Sequence, residues 1–455
     1  MIDERKFISL TVIITLFGFV IRILWLQSQP VSADDFQSGL SAIHYMESGQ
    51  LGPTMWNHPG LRNILVYWTL KVFGSGVVGI KGWSIVFGTL TIPLIALVSR
   101  RIFKIREVAL LAAFLWAIDL LAIDYSRQAV HEIYLALFPL AAIYLAYAYH
   151  DRQNPWYLVA AGISFGLGLA SKWSALFQLL ATGGLLLYYS LRQEVNNRRL
   201  FSGKAVLLFS SLVLVPFMVY LLTFVPWFGR GYSLTEWAQL QRSMYIETTT
   251  HTGYSPERIL PENIGDHKAY EWFIRPVSHS DLFFIALSEG EAKQEPTLED
   301  NIVMLLGVAN PLVWLLVIPA VLFILYRGIR SRDEGLLYLS ALFLISYLPF
   351  VAARRPIWVN TAVVVLPYAI MAVAYLVWSI ITAPHRRKIF LAGYCTAVCL
   401  IAVPLYVMVI GKGFKTPYIR DYLVEHYYPR QNTLPMKEVD RHAAEREGGH
   451  VDKGR

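Results

Sequence analysis

Long apolar stretches recur along the whole chain and are separated by short polar connectors. A run of about 18 or more apolar residues is long enough to cross a bilayer as a helix. The pattern predicts eleven spans, at residues 7–26, 77–98, 108–123, 130–149, 156–170, 175–191, 205–227, 301–326, 336–352, 357–381 and 389–410. We therefore expect an all-α polytopic membrane protein whose spans form one bundle.

The polar segment after the first span contains two shorter helical patterns. Apolar residues recur at helical spacing over residues 35–48 and again over residues 61–73. Both stretches are too short to span a bilayer, and they predict helices that lie in the membrane interface. The loop 27–76 is therefore expected to be structured rather than extended.

Basic residues predict the orientation of the spans. They concentrate in alternate connectors, at residues 100–106, 192–204, 327–332 and 386–388. Because Lys and Arg favour the cytoplasmic side, this alternation places the N-terminus inside and the C-terminus outside. The long segments 27–76 and 229–300 then both lie outside.

The spans and loops divide the chain into four predicted regions. Residues 1–228 form an N-terminal transmembrane module that includes the first outer loop, 27–76. Residues 229–300 form a long outer loop, whose many aromatic residues favour an ordered lid or acceptor region. The remaining regions are a C-terminal transmembrane module, 301–411, and a charged outer tail, 412–455.

Composition agrees with this class. Hydrophobic residues make up 55% of the chain and charged residues 16%, and the mean hydropathy is +0.45. The net charge of +8 lies in the short connectors, so it does not indicate nucleic-acid binding. The two cysteines, Cys395 and Cys399, are four residues apart in the last predicted span and are interpreted as packing residues.

The first 33 residues also resemble a cleavable signal peptide, with a charged start and Val-Ser-Ala before Asp34. The apolar stretch is long for a signal, and Arg22 interrupts it. We favour an uncleaved first span.

Acids and cations gather at the predicted outer ends of the spans, where positive charge is otherwise scarce. They are Asp34, Asp35, His58, Arg62, Asp124, Arg127, Glu132, Lys172, Arg354 and Arg355. A phosphate at headgroup level favours Lys or Arg partners, and a group leaving that phosphate needs an acid or base beside it. The pattern suits a substrate linked to a lipid phosphate.

Structural interpretations compete at several of these positions. Arg62 can simply extend to lipid headgroups, Arg127 can pair with Glu132, and Asp119 and Asp124 can be solvated or can pair helices. The adjacent acids Asp34 and Asp35 can be the N-cap and first-turn residues of an interfacial helix.

Five local stretches of the chain together resemble the protein O-mannosyltransferase-like superfamily of membrane-embedded, polyprenyl-phosphate-sugar-dependent glycosyltransferases of GT-C type. In chain order they are Asp34-Asp35, Asn57-His58-Pro59-Gly60-Leu61, Ser126-Arg127 with Glu132, Gly168–Trp173 and Ala309–Trp314. Asp-Asp stands where the family has Asp-Glu, His-Pro-Gly replaces His-Pro-Pro, and Glu132 replaces Asp. The long outer loop lacks the large soluble insert of eukaryotic protein mannosyltransferases.

The resemblance implies roles for individual residues. Asp34 would be the catalytic base and Asp35 its helper in the same pocket. Arg127 and Glu132 would shape the site, Lys172 and one of Arg354 and Arg355 would hold the lipid phosphate, and His58 would contact the donor phosphate or the acceptor.

The expected activity is inverting transfer of a sugar from a polyprenyl-phosphate carrier to an acceptor hydroxyl of a protein, lipid or glycan. The expected location is a prokaryotic plasma membrane with the site on its outer face. The sequence shows no required cofactor, although paired acids are compatible with a divalent metal. A transporter or flippase of a lipid-linked substrate is the alternative and would need charges across the membrane depth and broken spans. A purely structural membrane subunit would leave the ordered motifs unexplained.

Overall fold

The structure of the chain is a computed structural model. It describes residues 2–28, 33–52, 56–196, 203–250, 268–274, 283–288, 291–292, 301–305, 309–353, 357, 359–410 and 414–415. Arg354 and Arg355, one of which the resemblance assigns to the lipid phosphate, lie outside these ranges.

Helices account for most of the described residues. They are α1 (Glu4–Ile23), α2 (Ala33–Ser48), α3 (Leu61–Phe73), α4 (Val77–Phe103), α5 (Arg106–Ile118), α6 (Leu120–Ser126), α7 (Glu132–Arg152), α8 (Pro155–Ser171), α9 (Ala175–Asn196), α10 (Gly203–Phe209), α11 (Val215–Leu222), α12 (Val225–Gly229), α13 (Leu234–Thr250), α14 (Pro311–Trp314), α15 (Val317–Ser331), α16 (Glu334–Val351), α17 (Leu366–Ile380) and α18 (Pro384–Val409). A π-helical turn, Ser210–Leu214, joins α10 to α11.

The predicted class, a helical bundle of membrane-spanning type, is confirmed. Among the described residues seven helices are long and apolar enough to cross a membrane, or eight if the bent pair α5–α6 counts as one span. Three shorter apolar helices, within α8, α9 and α17, cover the other predicted spans. The number eleven therefore stays a prediction. The two helices expected in the first loop are present as α2 and α3.

Two predicted boundaries are wrong. The eighth span was expected to start at residue 301, but Asn301–Leu305 is a β-strand and the helical region starts at Pro311. Pro is favoured at the first helical position, and the Asn310 side chain caps the helix by accepting from the backbone N–H of Leu312. The fourth span starts at Glu132 rather than residue 130.

A small antiparallel sheet accompanies the helices. Its strands are β1 (Phe283–Ser288), β2 (Glu291–Ala292), β3 (Asn301–Leu305) and β4 (Phe414–Lys415), in the order β2-β1-β3-β4. Phe283 pairs with Leu305, and Asn301 pairs with Lys415. The sheet thus joins part of the long predicted loop to the segment after α18.

The core lies where α4, α5, α7 and α17 meet. Alanines on α5 and α17 are fully buried, which lets the helices approach closely. Trp116 of α5 is buried and its indole N–H donates to the carbonyl of Gly88 on α4, at 3.0 Å. Because α17 packs against both α5 and α15, the helices of the two predicted transmembrane modules share one core.

The third predicted span is broken rather than continuous. Helices α5 and α6 meet at Asp119 with a bend of 58°. The Asp119 carboxylate caps α6 by accepting from the N–H of Ala122 at 2.9 Å and also accepts from the indole of Trp314 at 2.8 Å. On the other side of the break, Arg22 donates to the carbonyl of Ala117 at 3.1 Å. These contacts support the structural interpretation of Asp119.

Close packing of α4 on α6 gives a testable prediction. A Cβ atom added at Gly88 would lie 1.9 Å from the hydroxyl oxygen of Ser126, whereas one added at Gly82 of the same helix meets nothing within 4 Å. We expect Gly88→Ala to lower the free energy of unfolding by about 1–3 kcal/mol through overpacking. Gly82→Ala should be neutral or stabilising by up to about 1 kcal/mol. Thermal unfolding in detergent compares the two variants, and equal behaviour would contradict this packing.

Candidate active site

The connector between α6 and α7, residues 127–131, is held by side chains from several other elements. The backbone N–H of Ala129 donates to Asp35 Oδ1 at 2.7 Å. Its carbonyl accepts from Ser38 Oγ at 3.0 Å and from Arg62 Nη1 at 3.2 Å. The backbone of one residue, Ala129, therefore ties α2 and α3 to the start of α7.

Asp35 also forms a buried ion pair with Lys81 of α4. The distance from Lys81 Nζ to Asp35 Oδ2 is 2.9 Å, and both side chains are 0% exposed. Each carboxylate oxygen of Asp35 thus has a partner in the scaffold. The arrangement fits an orienting role better than the role of a base that must approach substrate.

Arg127 lies at the C-terminal end of α1. Its guanidinium donates to the carbonyls of Arg22 at 2.9 Å and Leu24 at 2.8 Å. These are carbonyls that a helix end leaves without intrahelical partners, so Arg127 caps α1. It is not ion-paired with Glu132, which was the structural alternative.

Glu132 instead pairs with Lys172, with Oε1 and Nζ 2.6 Å apart. Glu132 is the first residue of α7 and Lys172 directly follows the last residue of α8. Acids are favoured at helix N-termini and cations at C-termini, so both helix ends support the pair. The Lys172 side chain keeps 14% of its surface exposed, compared with 5% for Glu132.

Two histidines meet beside this pair. The rings of His58 and His131 have centroids 4.4 Å apart in an edge-to-face arrangement. His131 lies in the connector before α7, and burial lowers its pKa well below the ordinary value, with Arg62, His58 and Lys172 acting in the same direction. Burial therefore favours the neutral form of the His131 imidazole.

Arg62 does not extend to lipid headgroups. Its side chain is fully buried and binds the carbonyl of Ala129. The interpretation of Arg62 as a residue that reaches the headgroups is thus wrong, because its guanidinium donates a hydrogen bond to the buried 127–131 connector instead.

The structure brings together four of the eight predicted site residues around the 127–131 connector: Asp35, His58, Glu132 and Lys172. A fifth, Arg127, binds this connector to the end of α1. Asp34 belongs to α2, next to Asp35, but its side chain lies outside the described part, as do Arg354 and Arg355. Their roles, and that of Arg127 toward substrate, stay predictions.

Three further residues lie beside these side chains and were not predicted as site residues: Lys81, Arg62 and His131. Lys81 carried a usable signal, since a lysine inside an apolar span is costly unless paired or functional. His131 carried none, because a lone histidine beside an acid fits many local structures.

Among the described residues, no group of three or more His, Cys, Asp or Glu side chains could hold a metal ion. The contacts around Asp35 and Glu132 involve cations and backbone groups instead.

Comparisons with known proteins agree with one another. A family model described as dolichyl-phosphate-mannose-protein mannosyltransferase matches residues 50–229. The polyprenol-phosphate-mannose--protein mannosyltransferase of Mycolicibacterium smegmatis is 24% identical over 399 residues, which cover 76% of each chain. The protein of the same name from Corynebacterium glutamicum is 23% identical over 378 residues, covering 70% of this chain and 69% of the relative.

Solved structures share the architecture. The S. cerevisiae protein O-mannosyltransferase Pmt1-Pmt2 complex bound to the sugar donor matches with a TM-score of 0.73 at 12% identity, over 97% of this chain and 95% of that chain. ArnT from Cupriavidus metallidurans bound to undecaprenyl phosphate matches with a TM-score of 0.55 at 13% identity, over 90% of this chain and 77% of that chain.

The Asp35–Lys81 pair predicts a strong, non-additive effect on stability. Lys81→Met leaves a buried carboxylate without its cation and should lower the free energy of unfolding by about 3–5 kcal/mol. The double variant Asp35→Asn/Lys81→Met removes both charges of the pair, so it should lose less than the two single losses added together. Thermal unfolding of all four proteins in detergent measures the coupling. Additive losses would show that the pair is not coupled as the geometry requires.

Proposed function

We propose that this chain is an enzyme of a specific kind. Its resemblance to the polyprenyl-phosphate-sugar-dependent GT-C glycosyltransferases is confirmed by the family model, the curated relatives and the fold. It is a membrane glycosyltransferase that takes its sugar from a polyprenyl-phosphate donor. In finer terms, the enzyme transfers mannose to a hydroxyl of a protein acceptor on the outer face of a prokaryotic plasma membrane. The relatives, named for polyprenol-phosphate-mannose and for protein, support this donor and this acceptor class.

One observation carries the proposal. Two acid–cation pairs, Asp35–Lys81 and Glu132–Lys172, meet a histidine pair at the same end of α4, α7 and α8. On the predicted topology this end is at the level of the lipid headgroups, where the phosphate of a lipid-linked sugar would lie. Cations there can stabilise the phosphate, and a carboxylate can activate an acceptor.

Asp34 is the catalytic base in this account. Its carboxylate takes the proton of the acceptor hydroxyl as the oxygen attacks the anomeric carbon. The bond between that carbon and the phosphate oxygen breaks, and the polyprenyl phosphate leaves with the electron pair. Attack opposite the leaving group inverts the anomeric configuration. Asp35, held by Lys81 and Ala129, keeps α2 in place for this step.

Lys172 stabilises the charge that grows on the departing phosphate. Glu132 holds the ammonium in position before the donor arrives, and the partly exposed Lys172 side chain is the more accessible member of the pair. Arg354 or Arg355 supplies a second cation, as the resemblance implies.

Helix α13 is the longest helix in the described part of the proposed lid, 229–300. Its Gln241 accepts a hydrogen bond from Tyr220, and Thr248 Oγ1 lies 3.5 Å from the carbonyl oxygen of Asn57, next to His58. The helix therefore lies beside the loop that carries His58. Closure of the segment over bound substrate would exclude water from the reaction.

The bent pair α5–α6 is the feature that a transporter would share. In transporters, a break in a span exposes backbone groups that bind the cargo. Here Asp119, Arg22 and Trp314 of the chain itself satisfy that break, which favours the enzyme.

The role of Asp34 is tested by turnover. Purified protein is given radiolabelled polyprenyl-phosphate mannose and a peptide rich in Ser and Thr. Asp34→Asn should lower the rate by about a hundredfold or more, the contribution expected of a general base. Glu47→Gln, an exposed acid on the same helix, should retain the wild-type rate. Wild-type turnover by Asp34→Asn would contradict the mechanism, and tight donor binding without any turnover would favour the transporter.

The outer location is tested by labelling. In a background with Cys395→Ala and Cys399→Ala, single cysteines replace Thr235 at the start of α13 and Ser331 at the end of α15, both exposed. An impermeant maleimide should label position 235 in intact cells and position 331 only after the membrane is opened. The reverse pattern would place the site inside.

A further inference from the structure

Helix α6 is a short link between the break at Asp119 and the 127–131 connector. All seven of its residues are buried. A helix of this length is about 10 Å long, so a change of about 6° in the bend would move its far end by about 1 Å. A misplacement of about 1 Å can lower the rate of a reaction by about a hundredfold. The angle of α6 therefore affects the geometry of the site that the connector holds.

A side chain from the C-terminal part of the chain holds the start of α6. Trp314, the last residue of α14, is fully buried, and its indole N–H donates to Asp119 Oδ2 at 2.8 Å. The other carboxylate oxygen, Oδ1, accepts from the N–H of Ala122 at 2.9 Å. A carboxylate can serve both donors at once because each of its oxygens accepts one of the bonds.

Arg22 of α1 joins the two sides of the break. Its guanidinium donates to the carbonyls of Trp116 and Ala117 at the end of α5, at 3.4 and 3.1 Å, and to Ser126 Oγ at the end of α6, at 3.1 Å. The side chain is 0% exposed, and a charge inside a span is costly unless it is paired or functional. Arg127, which follows Ser126, donates in return to the carbonyl of Arg22 at 2.9 Å. Both ends of α6 are thus held by side chains of other elements.

We propose that Arg22, Asp119 and Trp314 are positioning residues for sugar transfer. They act through the connector rather than on substrate: they fix the angle of α6, and the backbone of Ala129 then meets Asp35 on α2, the helix that carries Asp34. This inference rests on the proposed function. It also gives a role to Arg22 and to the stretch 309–314, neither of which the proposed mechanism uses.

A purely structural role makes a different prediction. Loss of a hydrogen bond that serves only the fold lowers the melting temperature but leaves the turnover of folded molecules unchanged. Loss of a positioning contact lowers kcat in molecules that remain folded. The KM for donor should change little, because Glu132 and Lys172 are joined by side chains that can adjust, whereas Ala129 meets α2 through its backbone.

The experiment measures mannose transfer by the full-length protein in nanodiscs, with the concentration of radiolabelled polyprenyl-phosphate mannose varied to separate kcat from KM. Trp314→Phe keeps a ring against Phe273 but removes the N–H at the start of α6. Ser126→Ala removes the contact with Arg22 at its end. Each variant should lower kcat about tenfold and change KM by less than about twofold, as expected for a small misplacement of reacting groups.

Tyr394→Phe is the matched control. The hydroxyl of Tyr394 on α18 donates to the carbonyl of Leu312 at 3.0 Å, so this variant also removes one hydrogen bond from α14, but none at the break. It should retain the wild-type kcat. Unchanged kcat in both Trp314→Phe and Ser126→Ala would overturn the inference, and so would an equal loss in Tyr394→Phe.

A double variant tests whether Trp314 acts through Asp119. Asp119→Asn leaves one acceptor oxygen for the two donors, Ala122 and Trp314, so it should also lower kcat. Because both substitutions break the same bond, Asp119→Asn/Trp314→Phe should be no slower than the slower single variant. Losses that multiply would show that the two residues act separately, which would overturn the inference.

Hydrogen exchange separates this inference from the proposed function, because it needs no turnover. Trp314→Phe should speed amide exchange in residues 127–131, including the N–H of Ala129 that binds Asp35, and leave exchange in α16 unchanged. Equal acceleration in α16 would indicate a purely structural role and overturn the inference. If wild type transfers no sugar but exchange changes as expected, the transferase is refuted and the positioning of the connector by Trp314 stands. If wild type transfers sugar and Trp314→Phe changes neither kcat nor exchange, the inference alone is refuted.

Discussion

The backbone N–H and carbonyl of Ala129 and the buried Asp35–Lys81 pair organise the site. Asp35 binds the N–H of Ala129 and the ammonium of Lys81, while Ser38 and Arg62 bind the carbonyl of Ala129. A buried ion pair contributes little net stability, because desolvation offsets the attraction. What it provides here is a fixed geometry: α2, α3 and α4 must all meet the connector that precedes α7. These contacts fix the positions of α2, which carries Asp34, and of the start of α7, which carries Glu132.

The polarity of helix ends determines where the remaining charges lie. Glu132 starts α7, Lys172 follows α8, and Arg127 binds the carbonyls at the end of α1. Each charge has the sign that its helix end favours. Antiparallel neighbours such as α7 and α8 bring an acid and a cation together in this way, which is how a largely apolar bundle can support a charged site.

The sequence predicts the class of fold well because eleven apolar stretches and alternating basic connectors leave few alternatives. It also predicts α2 and α3, whose apolar spacing is helical. It does not predict the break between α5 and α6 at Asp119. No Pro or Gly marks this break, and only tertiary contacts from Arg22 and Trp314 reveal it. Paired acids and a lysine in a tight turn indicate Asp35 and Lys172. Arg62 and His131 are recognisable only once the 127–131 connector is in place, because their surroundings come from segments distant in sequence.

Photo-crosslinking tests the central claim most directly. A short-chain polyprenyl-phosphate mannose with a diazirine on its first isoprene unit is bound to the protein, activated by light and located by mass spectrometry. The account predicts adducts within residues 56–62, 127–134 or 168–173 that excess undecaprenyl phosphate prevents. Adducts confined to other segments, or unaffected by that competitor, would contradict the assignment of this end of the bundle as the donor site.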